Sequence, residues 1–183
     1  RRTAWDDAES RALPSKDDWM AAFSKLFIDI RSALAYDSAQ ASTQFSVTSQ
    51  GKDGLHRAVD IRGFCVEVDE PAALGGTDRA PNPVEYALAA LATCQEITYR
   101  LHADALGIPL DDVSVKLEGE LDLRGFFGAS SGVRPGFQKI TGSVSFDSTA
   151  SSADLERLKR VVDAHCPVLD LFRNATPVQI VIA

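Results

Sequence analysis

The segment from Asn82 to Leu106 constrains the fold more than any other part of the chain. Asn82 can accept from the free amides of a helix start, Pro83 suits the first helical position, and Glu85 stands three residues on, as in a capping box. Apolar residues then occupy nearly every face: Leu88, Ala89, Ala90, Leu91, Ala92, Cys94, Ile97 and Leu101. A surface helix would carry one apolar stripe, so this pattern predicts a central helix covered on all sides. Gly107 and Pro109 end it. Running from Val84, it would be ~35 Å long.

What surrounds this helix reads mostly as strand. Residues 43–70 carry Phe45-Ser46-Val47-Thr48, a turn at Gln50-Gly51-Lys52-Asp53-Gly54, then Ala58-Val59-Asp60-Ile61 and Phe64-Cys65-Val66-Glu67-Val68 on either side of Arg62-Gly63. A loop rich in Gly, Pro and Asp runs from Asp69 to about Pro81. Val113, Val115 and Leu117 alternate with Ser114, Lys116 and Glu118, the period of a half-buried strand. With Phe137 to Phe146 this segment predicts a long antiparallel hairpin. Ser151 or Ser152 caps an amphipathic helix with Leu155, Leu158, Val161 and Val162 inward. A short helix follows Pro167, and Val178 to Ile182 predicts a closing strand. These elements do not alternate as βαβ units, so the class is α+β with mainly antiparallel sheet.

The first 40 residues stand apart. Residues 1–16 are polar and of mixed charge, and read as an arm without an apolar signal core. Residues 17–40 hold an added amphipathic helix whose stripe is Trp19, Met20, Phe23, Leu26, Phe27, Ile30 and Leu34. That stripe needs cover, so the helix is expected to dock on the core sheet or across a dimer as a stabilising addition.

Composition excludes several functions. Lys and Arg number 19 against 26 Asp and Glu, a net charge of −7. An acidic chain is a poor partner for nucleic acid or an anionic membrane surface. No apolar run reaches the ~20 residues that span a bilayer. Three cysteines, Cys65, Cys94 and Cys166, are too few for a disulfide scaffold, and none forms a C-x-x-C pair. A reducing compartment, the cytoplasm, is the expected setting.

Two of those thiols could carry chemistry. Cys94 stands mid-helix, where a free cysteine either packs as a small apolar side chain or reacts. Cys166 precedes Pro167 at a helix start, where free amides would acidify a thiol, although a plain helix boundary explains the dipeptide equally well. His165 neighbours Cys166, but adjacent side chains usually point apart. His56 and His102 have no ligand partner at metal spacing, so no metal site is expected. Cys65 lies on a strand between Phe64 and Val66 and reads as a bystander.

Taken together, Asn82-Pro83-Val84-Glu85 with Cys94 about three turns on, and Cys166-Pro167 after a late amphipathic helix, resemble the OsmC/Ohr family of osmotically inducible and organic hydroperoxide resistance proteins. The segments Asp69-Glu70-Pro71, Leu74-Gly75-Gly76-Thr77-Asp78 and Asp122 to Gly128 resemble its OsmC-like branch. The resemblance spans about residues 43–183 and leaves residues 1–40 outside.

The resemblance implies an intertwined homodimer with sheets packed around the central helix. It also implies a thiol peroxidase that takes a small hydroperoxide and needs no cofactor beyond an external dithiol reductant. Cys94 would attack the peroxide and Cys166 would resolve the product as a disulfide. A mid-helix thiol needs a nearby cation to favour its thiolate. The family places an Arg, held by a Glu, in a Gly-rich turn; here Lys52 stands at that position, and Lys lacks the planar two-pronged donor. Arg57 and Arg62 are alternative cations. Glu85 matches the family carboxylate, but it precedes Cys94 by nine residues, which puts it ~13.5 Å along the axis on the opposite face. It could serve Cys94 only through a bridging cation or a partner subunit; helix capping is its other role. The alternative function is a non-catalytic dimer that holds a small apolar or acyl ligand beside Cys94.

Overall fold

The structure, a computed structural model, describes residues 16–182; of residues 16–23 and Gln40 it describes the backbone alone. The expected arm therefore lies outside the described residues. Helix α1 spans Lys16–Tyr36. Strands β1 (Thr48–Gly51), β2 (Arg57–Ile61) and β3 (Phe64–Val68) form an antiparallel sheet in that order. The β2–β3 turn places Arg62 (φ 56°) and Gly63 (φ 90°) opposite Ile61↔Phe64. Both residues have positive φ, which matches the twist of a two-residue hairpin.

Helix α2 (Pro83–Leu106) starts as its sequence dictates. The Asn82 side chain accepts from the Glu85 amide at 2.9 Å, and the Glu85 carboxylate accepts from the Asn82 amide at 2.8 Å. Gly107 ends the helix at φ 65°. Strand β4 (Asp112–Leu121) turns back through a short helix, α3 (Leu123–Phe126), into β5 (Phe137–Asp147). Their pairing sets Val113 against Phe146 and Val115 against Val144, so one face of the hairpin is apolar. Helices α4 (Ser152–His165) and α5 (Pro167–Arg173) follow, with Cys166 alone between them.

The core is where α2, α4 and the β4–β5 hairpin meet. Tyr99 and Ala103 of α2 pack with Leu158, Val162 and Cys166, and the Tyr99 ring meets Phe146 edge-on at 5.1 Å. Leu158, Val162 and Cys166 are spaced by four residues, so they stack on one face of α4 and its exit. Polar anchors fix the register of α2 on the hairpin: Glu96 accepts from the Val115 amide at 2.9 Å, and Arg100 donates to the carbonyls of Leu110 and Asp111.

The loop before α2 is organised by one buried carboxylate. Asp69 accepts from the amides of Glu70, Thr77 and Arg79 and from the Thr77 hydroxyl at 2.6 Å. Those bonds, the hydroxyl's first, hold Asp69 well below the usual carboxylate range. The loop doubles back so tightly that a Cβ on Gly76 would lie 1.8 Å from the Glu70 carbonyl oxygen. This is the physical reason for the Gly75-Gly76-Thr77 sequence.

Within one protomer α2 is covered in part: Leu91, Thr98, Tyr99 and Ala103 are buried, but Ile97 is 62% exposed, because the β1–β3 sheet joins α2 only near its N-terminus. Three expectations need correction. Val178 to Ile182 is not a strand, and Ile180 is 90% exposed. The first strand begins at Thr48, leaving Phe45 and Val47 exposed. Neither terminal segment has a neighbouring strand among the described residues to complete its hydrogen bonds. Finally, α1 docks on α2 and not on a sheet. Ser24 donates to the Asp104 carbonyl at 3.1 Å, and Phe27 packs on His102, while Leu26, Ile30 and Leu34 stay exposed. The side chains of Trp19, Met20 and Phe23 lie outside the described residues.

Asp104 makes this junction costly. Both of its carboxyl oxygens are buried without a hydrogen-bond partner among the described residues. Burial raises its titration and Arg100 opposes that. A raised folded-state value means the fold holds its proton longer than the unfolded chain, so stability falls as pH climbs through that window and stays lower above it. Asp104→Leu should therefore raise the melting temperature at pH 7 by several degrees, the effect of relieving about 1–3 kcal/mol of unpaired polar burial. Calorimetry at pH 4 and pH 7 checks this; an unchanged or lower value at pH 7 contradicts it.

Candidate functional site

Cys94 and Cys166 come together. The Cys166 thiol donates to Cys94 Sγ at 3.4 Å, bridging a sequence separation of 72 residues. Cys94 faces out from the middle of α2, and the Thr98 hydroxyl, one turn on, donates to its carbonyl at 2.6 Å. Cys166 is held from the other side by the α4–α5 corner. Its amide bonds the Val162 carbonyl at 2.9 Å, and Pro167 starts the next helix. Both thiols are free.

Their exposures differ, and so do their roles in any chemistry. Cys166 is 2% exposed, while Cys94 is half-buried and lines an open pocket of about 470 Å³. Its walls are largely apolar, with Phe27, Ala90, Ile97 and Leu101 prominent. The sequence places Cys166 where a helix start would acidify it; in the structure the shift runs the other way. Burial pushes the Cys166 thiol up, the amides of Leu169 and Val168 pull it back only in part, and the contact with Cys94 adds to the rise. A helix start acidifies a thiol that solvent can reach, and Cys166 is walled off from it. The accessible sulfur is Cys94, and burial favours the protonated form of Cys166.

The cation and carboxylate candidates lie elsewhere in the protomer. Lys52 sits in the β1–β2 turn, where its amide bonds the His56 carbonyl. Arg57 is folded onto the same turn, donating to the carbonyls of Gly54 and His56. Arg62 stacks over Phe64 at 5.7 Å. Glu85 completes the helix cap. None of the four is among the described residues lining the Cys94 pocket. Cys65 is exposed on β3 and also lies outside it.

Sequence reasoning passed over two histidines and one helix. His102 and His165 both line the pocket, with ring centroids 5.1 Å apart, and Phe27 of α1 closes the wall beside them. His102 falls eight residues after Cys94 on α2, a spacing that could have placed it on a neighbouring face; nothing in the sequence could place His165 or Phe27 opposite. Among the described residues no group of three or more His, Cys, Asp or Glu side chains could hold a metal ion. A larger hollow of about 730 Å³ runs between the hairpin and α5, past Leu117, Ile140 and Phe172. It contains neither Cys94 nor Cys166, so the smaller pocket is the candidate site. No helix among the described residues is long and apolar enough to cross a membrane.

The sequence profile described as OsmC-like protein matches residues 76–181, which include both thiols and most of the core. The chain belongs to the OsmC-like family. Solved structures share this OsmC-like fold at low identity. An OsmC-like protein from Mycoplasma pneumoniae superposes with a TM-score of 0.64 at 16% identity, over 72% of this chain and 89% of that one. An organic hydroperoxide resistance protein from Legionella pneumophila gives 0.57 at 23% identity, over 72% and 90%. One from Vibrio cholerae, with captopril bound in one of its active sites, gives 0.53 at 18%, over 72% and 87%. No curated protein sequence matches the chain significantly. The OsmC-like fold accounts for α2 and the hairpin, whereas α1 precedes the matched segment.

Proposed function

We propose that this OsmC-like protein is a two-cysteine hydroperoxide reductase. The observation that carries the reading is the 3.4 Å approach of a buried thiol to an accessible one at an apolar pocket. The Cys94 thiolate attacks the terminal oxygen of ROOH. The O–O bond breaks, the sulfur gives up two electrons and becomes a sulfenic acid, and the alkoxide takes a proton and leaves as ROH. Cys166 keeps its proton and stabilises the Cys94 thiolate by donating to it. It then attacks the sulfenic sulfur, expelling water and forming the Cys94–Cys166 disulfide. An external dithiol reduces the pair by exchange and leaves as its own disulfide. The balance is ROOH plus a dithiol giving ROH, water and a disulfide. The cycle uses no bound cofactor, and it suits a reducing setting such as the cytoplasm, where dithiols are kept reduced.

The functional unit we propose is a homodimer. The exposed face of α2 around Ile97, and the unpaired apolar segments at Phe45–Val47 and 178–182, are surfaces a second copy would cover. Pairing would also bring a partner's β1–β2 turn, with its Lys52, into play as a cation of the kind that is not among the described residues lining the Cys94 pocket. Glu85 could then act only as the holder of such a cation.

Mass spectrometry tests the thiol reading directly. One equivalent of cumene hydroperoxide should convert the reduced protein to a form two hydrogens lighter, with Cys94 and Cys166 in one cross-linked peptide. Retention of both free thiols, or a stable adduct at Cys94 with Cys166 still reduced, would sink the two-cysteine mechanism.

A further inference from the structure

A short run of contacts joins the buried thiol to helix α1. Cys166 directly follows His165, the last residue of α4, whose Nδ1 donates to the Val161 carbonyl at 2.7 Å. That bond ties the imidazole to the end of the helix, so ring and thiol shift as one piece. The His165 ring lies 5.1 Å from the ring of His102 on α2. His102 in turn meets Phe27 of α1 edge-on, also at 5.1 Å.

Helix α1 is held lightly. It rests chiefly on α2, with Leu26, Ile30 and Leu34 left exposed. Its polar anchor is the Ser24 bond to the Asp104 carbonyl. The Asp104 carboxyl group at that junction is buried without a hydrogen-bond partner among the described residues, a cost that undocking relieves. Residues 42–47 have no regular secondary structure, so the link to β1 leaves α1 room to shift.

Oxidation of the thiol pair must move this run of contacts. A disulfide closes the sulfur–sulfur gap from 3.4 Å to about 2.05 Å. Cys94 is fixed in the middle of a long helix, whereas Cys166 stands alone between two helices, so the movement falls on the α4–α5 corner. His165 travels with it towards α2 and the His102 ring. Packed rings do not compress, so His102 gives ground against Phe27.

We propose that α1 is a redox-sensitive latch, docked while Cys94 and Cys166 are both thiols and loosened when they are bridged, with His165 and His102 carrying the displacement. It rests on the bridge of the proposed cycle and not on peroxide as the oxidant. By linkage the latch also acts in reverse: whatever holds α1 down makes the pair harder to oxidise. Helix α1 precedes the segment that matches the family, so the latch is added to the shared core.

Hydrogen exchange of the full chain in its two redox states tests the latch. A Cys65→Ser background keeps the third thiol out of the chemistry. Diamide is the oxidant: one thiol adds across its N=N bond, the second displaces it, and the pair ends as a disulfide with the azo group reduced to a hydrazine. Amides of residues 24–36 should exchange faster in the bridged form by at least about fivefold, the lower end of ordinary coupling between two sites. A helix that loses its packing partner frays, which is what exchange reads. His165→Ala, at an exposed position, should still form the bridge by mass and lose the difference. Cys166→Ser treated in the same way should show none. Phe27→Ala weakens the hold on α1, so at equilibrium with dithiothreitol it should favour the bridge by the same factor. Equal exchange in the two states, a difference that survives His165→Ala or appears in Cys166→Ser, or an equilibrium that Phe27→Ala leaves unmoved overturns the latch. A pair that diamide cannot bridge overturns the latch and the two-cysteine cycle together. Faster α1 exchange after diamide, in a protein that cumene hydroperoxide does not bridge, supports the latch and removes the peroxidase reading alone.

Discussion

Cys94→Ser is expected to lower hydroperoxide turnover by a factor on the order of 10³ or more, because it removes the nucleophile itself. Cys166→Ser should behave differently. It leaves the accessible sulfur in place, so one equivalent of peroxide is still consumed, but the sulfenic acid then has no thiol at 3.4 Å to capture it. That variant should accumulate a sulfenic acid that a dimedone-type reagent labels, and should pass to the sulfinic acid under excess peroxide. Cys65→Ser should leave turnover nearly unchanged, since Cys65 is exposed on β3 and lies outside the pocket. The readouts are steady-state peroxide consumption with a dithiol and intact-protein mass. Comparable losses in Cys65→Ser and Cys94→Ser would mean that the wrong thiol has been assigned.

The second large effect is on stability. Leu158 is fully buried and stacks with Val162 and Cys166 against Tyr99 and Ala103. Leu158→Ala should cost about 2–5 kcal/mol through lost transfer energy and the cavity left behind. Against a total of about 5–15 kcal/mol for an ordinary domain, that is a large fraction. The same column of side chains sets the position of Cys166, so the damage should reach the thiols. The variant should form its disulfide more slowly and label more readily with dimedone. Urea denaturation and the rate of disulfide formation check both halves; a loss below ~1 kcal/mol would contradict the burial argument.

What was legible in the sequence was local. The Asn82–Glu85 box, the Gly107 stop, the alternation along β4 and the Ser151 cap each depend on neighbours within a few residues, and each element forms where those residues place it. The thiol pair became legible through two motifs read together, because 72 residues of intervening chain carry no distance information. The apolar run 178–182 predicts a strand, yet it finds no neighbouring strand among the described residues. The acidity expected of Cys166 depended on exposure, which only the packing of α4 on α2 decides. His165, a neighbour of Cys166 in sequence, lines the pocket beside His102, 63 residues away in the chain.

The burial of Cys166 has a consequence for traffic through the site. In the oxidised protein one sulfur of the bridge would remain walled in by α4 and α5, so an incoming dithiol could strike only the Cys94 sulfur. It would have to come through the same mouth by which, in the proposed cycle, peroxide enters. Two substrates that share one doorway cannot be aboard together. The kinetics should be ping-pong, with parallel lines in double-reciprocal plots, and each substrate in excess should slow the enzyme by occupying the form meant for the other.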